Sequence, residues 1–114
     1  MFDFCKLDVY QKAKSFCISM NKLIAGKKLD KTTNDQLRRA SLTIMLNMAE
    51  GSSLFSNKDR RNFMVVARGS TSECAEILEY LYEISEINQA DLSTFTDNLE
   101  QISKMLFGLT KNQN

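Results

Sequence analysis

The chain has 114 residues, 43% of them hydrophobic, with four glycines, no proline and no histidine. That length suits one domain with a single core, and the missing proline favours long helices over a turn-rich β fold. The net charge of +1 is not the strongly basic footprint of a dedicated nucleic-acid binder, and without histidine there is no Ser-His or Cys-His nucleophile pair and no Glu-x-x-His metal set.

The first helix is predicted from Leu7 to Ala25. Val9, Ala13, Phe16, Met20 and Leu23 recur at steps of three and four, with Tyr10, Cys17 and Ile24 widening the stripe. Gly26 marks the stop, before a basic loop at Lys27 and Lys28, because glycine tolerates the backbone that ends a helix. The second helix starts near Thr33 or Asn34, either of which can cap it, and runs to about Gly51. Its inner stripe is Leu37, Ala40, Ile44, Asn47 or Met48, and Gly51. A second stripe of Leu42, Met45, Leu46 and Ala49 lies on the opposite side, with no charge from Ala40 to Ala49. A helix apolar on two sides must be covered on two sides, so the outer stripe predicts an interface between copies of the chain.

The third helix follows Ser56, with Asp59 three positions on as a capping-box pair. Phe63, Val66, Ala67, Ser70, Cys74, Ile77, Leu78, Leu81 and Ile84 form its stripe, and the unbroken phase predicts one helix to about Ile87. The small run from Gly69 to Ser72 would allow a neighbouring helix to come close. The fourth helix opens near Asp91 and carries Leu92, Phe95, Leu99, Ile102, Leu106 and Leu109 inward. Short connections make successive helices antiparallel, so the predicted fold is an all-α up-down-up-down four-helix bundle over residues 1–114.

Charge is divided along the chain. Residues 1–72 hold 13 Lys/Arg against 6 Asp/Glu, a balance of +7, and residues 73–114 hold 2 against 8, a balance of −6. Together they return the net +1. Such asymmetry points to a partner that reads one face, or to complementary contact between copies.

Polar residues interrupt the stripes from Asn47 to Glu73. Burial of a polar group is costly without a partner, so Asn47, Glu50, Gly51, Ser70 and Glu73 are expected to form a polar motif that sets the register of the second and third helices. The alternative is an acid–base pair of Glu50 with Glu73, since neighbouring carboxylates push one pKa upward. This stretch also carries a resemblance. Asn47-Met48-Ala49-Glu50-Gly51, Phe63, Ala67, Gly69-Ser70 and Glu73, with Gln36 to Ser41 upstream, resemble the four-helix-bundle family encoded in intervening sequences of bacterial 23S ribosomal RNA genes. Two positions depart from that pattern: Met45 stands where a proline is usual, and Leu54 where the turn often has an arginine. The resemblance implies ring assembly, most often a pentamer around a central channel. It also extends to the accessory variability determinant of diversity-generating retroelements, a basic ring-forming bundle associated with reverse transcriptase and RNA.

Lys58, Arg60, Arg61 and Arg68 on the third helix, with Arg38 and Arg39 on the second, form a basic band. Arginine's planar fork suits phosphate, so the band is a candidate nucleic-acid surface for RNA or DNA; the alternative is a solvated face with ion pairs between subunits. Glu76, Glu79, Glu83 and Glu86 have helical spacing and read as a solvated or subunit-facing edge rather than a metal site. Cys17 and Cys74 fall on core stripes as small hydrophobes, Cys5 lies near an end, and Met45, Met48, Met64 and Met105 read as packing. The expectation is a non-enzymatic, homo-oligomeric binding or scaffold module. No cofactor, metal, membrane or small-molecule substrate is predicted, and the location is cytoplasmic, because no signal-peptide layout opens the chain. The runner-up is a structural oligomer without affinity for nucleic acid.

Overall fold

The protein is described by a computed structural model over residues 7–26, 29–52 and 57–111. Among these residues the secondary structure is four helices and no strand: α1 (Asp8–Gly26), α2 (Lys31–Ser52), α3 (Asn57–Glu83) and α4 (Gln89–Lys111). Each helix packs on two others, in the order α1, α2, α3, α4 and back to α1. This is the packing pattern of a four-helix bundle. None of the helices is long and apolar enough to cross a membrane.

One core fills the centre. Phe16 and Met20 from α1, Leu37, Ile44 and Met48 from α2, Leu78 and Leu81 from α3, and Ile102 and Leu106 from α4 are almost wholly enclosed. The stripe expected on α1 is the stripe observed, with Val9, Ala13, Cys17 and Ile24 also buried and Leu23 half-buried. On α4, Leu99, Ile102 and Leu106 are buried, while Leu92, Phe95 and Leu109 pack against them.

The α3 stripe requires correction. Its buried positions are Met64, Ala67, Thr71, Cys74, Leu78 and Leu81. Val66 is 50% exposed and Ile84 46% exposed, and Phe63, Ser70 and Ile77 are only half-buried. Two phases, offset by one residue, share many members over this stretch, and contact with both α2 and α4 selects between them.

The helix ends also differ from expectation. Asp30, not Thr33 or Asn34, caps α2: its carboxylate accepts the Thr33 backbone N–H at 2.9 Å and the Thr33 hydroxyl at 2.7 Å. Asn88, not Asp91, caps α4, its side-chain oxygen accepting the Asp91 N–H at 2.7 Å. Each cap satisfies an amide that would otherwise lack an intrahelical acceptor. The expected Ser56–Asp59 pairing lies outside the described residues, because Ser56 is not among them.

The Asp30 cap has a pH signature. The Thr33 backbone amide, helped by the Thr33 hydroxyl, lowers the Asp30 pKa below its ordinary value of 3.8. A depressed folded-state pKa contributes stability that is complete above the unfolded value and is lost as pH falls through the folded one. Asp30→Ala should therefore lower the melting temperature at pH 6, and the gap from wild type should shrink once the pH drops below about 4. A gap that stays constant down to pH 2 would show that the carboxylate's charge contributes nothing.

Helix α3 stops at Glu83, one turn before the Ile87 expected from its phase. The Glu86 N–H reaches back to the Leu81 carbonyl at 2.8 Å and the Ser85 N–H to the Tyr82 carbonyl at 3.0 Å. This is a Schellman ending. It puts Ser85 in the left-handed region, with φ 64°, and returns Ile87 to the core. Glycine usually holds that position, and serine there gives no sequence signal of a stop. Ser85→Gly should raise stability by up to ~1 kcal/mol, because glycine carries no Cβ penalty at positive φ. A thermal melt checks this; an unchanged or lower midpoint would show that Ser85 is unstrained.

Candidate nucleic-acid interface

The basic residues lie on two helices and differ in exposure. Lys58 and Arg61 on α3 are exposed, and Arg60 and Arg68 are half-buried. Arg38 and Arg39 on α2 are exposed. Arg68 reaches α4, where its guanidinium lies over the Phe107 ring, 4.9 Å from the centroid. Its Nε is buried with no hydrogen-bond partner. A pocket of about 370 Å³ opens here, lined by Arg68, Glu100, Ser103, Lys104 and Phe107.

Lys104 and Phe107 therefore join the candidate surface from α4, and sequence reasoning missed both. Lys104 is one of only two cations after residue 72, so it reads as a stray charge in an acidic half. Phe107 sits one position from the buried Leu106, where a ring reads as part of the core, yet it is 50% exposed. An unpaired aromatic just outside an apolar stripe is the only available signal. A cation over such a ring contributes about 0.5–1 kcal/mol at an exposed site.

Of the five polar-motif residues, only Gly51 is buried; Asn47 and Ser70 are half-buried, and Glu50 and Glu73 are exposed. The five therefore do not share burial. With 3.6 residues per turn, Met48 and Gly51 face inward, so Asn47 and Glu50 are turned aside; Thr71 and Cys74 do the same to Ser70 and Glu73. Among the described residues the buried polar side chains are instead Ser41 and Thr71. Each donates its hydroxyl to its own helix, Ser41 to the Arg38 carbonyl at 3.1 Å and Thr71 to the Arg68 carbonyl at 2.6 Å. Asn47 likewise donates to the Thr43 carbonyl at 2.9 Å. These bonds satisfy the groups without tying helices together.

Gly51 brings the end of α2 against the first turns of α3. A Cβ added there would stand 2.8 Å from Met64 Cε and 3.0 Å from Phe63 Cβ. Gly69, expected to admit a neighbouring helix, is exposed, and a Cβ there would have nothing within 4 Å. On the outer stripe of α2, Leu42 and Leu46 are 39% and 52% exposed, while Met45 and Ala49 are half-buried.

Cys17 and Cys74 are free and buried, as their stripe positions predict; Cys5 lies outside the described residues. Burial pushes the Cys74 thiol up to about 12, with Glu73 and Cys17 nearby adding to the shift. A thiol so protonated is a poor nucleophile at neutral pH. Among the described residues no group of three or more Cys, Asp and Glu side chains is placed to hold a metal ion. Glu76, Glu79 and Glu83 are exposed and Glu86 is half-buried.

The model of the 23S rRNA-intervening sequence protein family matches residues 5–108. The chain belongs to that family. The resemblance carried by the Asn47–Glu73 stretch thus holds for nearly the whole 23S rRNA-intervening sequence protein. The chain is also similar to a crystal structure, at 1.70 Å resolution, of a protein with unknown function from the S23 ribosomal protein family of Bacteroides thetaiotaomicron VPI-5482. The TM-score is 0.85 at 20% identity, over 91% of this chain and 99% of that one. At that identity the likeness establishes the fold alone. No curated protein matches the chain.

Proposed function

We propose that this family member is a non-enzymatic, cytoplasmic binding module that assembles with copies of itself and holds RNA on the basic half of α3. The observation that carries the RNA reading is the Arg68 guanidinium set over the Phe107 ring at the mouth of an open pocket. Phe107 beneath the guanidinium, with Lys104 at the same pocket, offers the pairing of cation and stacking ring that single-stranded nucleic acid uses. Lys58, Arg60 and Arg61 continue the surface towards the start of α3. Arg38 and Arg39 are exposed on α2.

The assembly reading is supported by Leu42 and Leu46, which one copy leaves exposed. Within each copy the helices run up-down-up-down, as the approach of Gly51 to Phe63 and of Arg68 to Phe107 favours. The ring of five that the resemblance implies is the assembly we propose.

Electrophoretic shift with structured RNA tests the binding. Affinity should fall steeply between about 50 and 200 mM salt, because phosphate contacts release counterions. Lys58→Glu with Arg61→Glu should abolish the shift, and Phe107→Ala should weaken it. RNA binding that is insensitive to salt, or none at low salt, would overturn the reading. The division of charge between the two halves of the chain favours a second reading, an oligomer built for protein contact alone; absence of any shift together with a stable oligomer would favour that one.

A further inference from the structure

The unpartnered outer face of α2 has a counterpart elsewhere on the chain. Arg38, Leu42 and Leu46 follow one another at four-residue steps, with Arg39 beside them, and all four are exposed. The face therefore begins cationic and continues apolar. Between α3 and α4 runs a groove of about 790 Å³. Glu76, Glu79, Glu83 and Glu100 line it and are exposed, and Leu92 and Leu99 lie deeper, half-buried and buried. Tyr80 and Tyr82, 51% and 39% exposed, also line it.

We propose that the outer face of α2 in one copy docks into the α3–α4 groove of a second copy, with Arg38 and Arg39 against the glutamates and Leu42 and Leu46 against the tyrosines and the apolar floor. This rests on the assembly reading above and names the two surfaces that meet. Complementarity of charge is the first support: the face belongs to the half with a balance of +7 and the groove's carboxylates to the half with −6. Dimension is the second. At 1.5 Å per residue, Arg38 to Leu46 spans ~12 Å and Glu76 to Glu83 spans ~10.5 Å. Chemistry is the third, since tyrosine is favoured at interfaces for presenting a broad ring with a polar tip. Face and groove are different surfaces, so the contact is head-to-tail, the type that closes into a ring when the rotation allows. Lys58 and Arg61 line neither the groove nor the docking face, so copies packed in this way leave them for another ligand.

Light scattering on four forms of the full chain tests the seam: wild type, Arg38→Glu with Arg39→Glu, Glu76→Arg with Glu79→Arg, and all four changes together. Each double reversal should drop the particle to the 13.0 kDa of one chain, and the quadruple form should recover the wild-type mass. Circular dichroism melts accompany each form, so that dissociation is scored only for folded protein; Leu46→Glu supplies an independent break at the same face. A wild-type oligomer that both reversals leave intact overturns this seam while the assembly reading stands. Dissociation by both reversals without recovery in the quadruple form also overturns it. A wild-type chain that is monomeric at every concentration overturns the assembly reading itself, and the seam with it.

Discussion

Leu78→Ala should destabilise the protein by about 2–5 kcal/mol, the range for deleting a fully enclosed leucine. Leu78 has no exposed surface and sits in the core that all four helices share. Truncation removes its transfer energy and leaves a void that neighbouring side chains close only in part. A domain holds ~5–15 kcal/mol in total, so the variant should melt well below wild type. Ile84→Ala is the matched comparison. Helical phase alone puts Ile84 on the same stripe, yet it is 46% exposed beyond the end of α3. Its loss should cost well under 1 kcal/mol, as for most surface positions. Urea titration of the two variants gives both values. Equal losses would mean that α3 continues past Glu83 and that the Schellman turn is wrongly located.

Gly51→Val should cost about 1–3 kcal/mol through overpacking. The clash with Met64 Cε is relieved by moving the end of a flexible side chain, but Phe63 Cβ, 3.0 Å from the added carbon, moves only with its backbone. The two helices would have to separate where they join. Gly69→Ala should have the opposite sign, gaining up to about 1 kcal/mol from helix propensity alone, because a Cβ there meets nothing within 4 Å. Denaturant midpoints of the two variants decide the point. A destabilising Gly69→Ala would reveal a close approach at α3 that the described residues do not make. A neutral Gly51→Val would show that the α2–α3 junction is looser than the distances indicate.

The two glycines show how local and tertiary information divide. Both lie in the stretch that carries the family resemblance, and sequence pattern assigned the close approach to Gly69 because small residues cluster there. The approach occurs at Gly51 because the end of α2 and the start of α3 meet across a short connection. The polar residues behave similarly. Counting polar types between apolar stripes selected Glu50 and Glu73, but a helix turns 100° per residue and both are carried out to solvent. Ser41 and Thr71 fall on the buried side and pass unnoticed, being small and bonded to their own backbone.

The amino-acid sequence determined that there are four helices, which side of α1 and α4 faces inward, that Cys17 and Cys74 are core residues, and which family the chain belongs to. These follow from periodicity and composition, properties carried by residues close together in the chain. Only the tertiary structure decided the α3 phase, the stop at Ser85, the approach at Gly51 and the meeting of Arg68 with Phe107. Each depends on where a second helix stands. That position is set by burying all four stripes at once, a condition on the whole core that no single segment expresses.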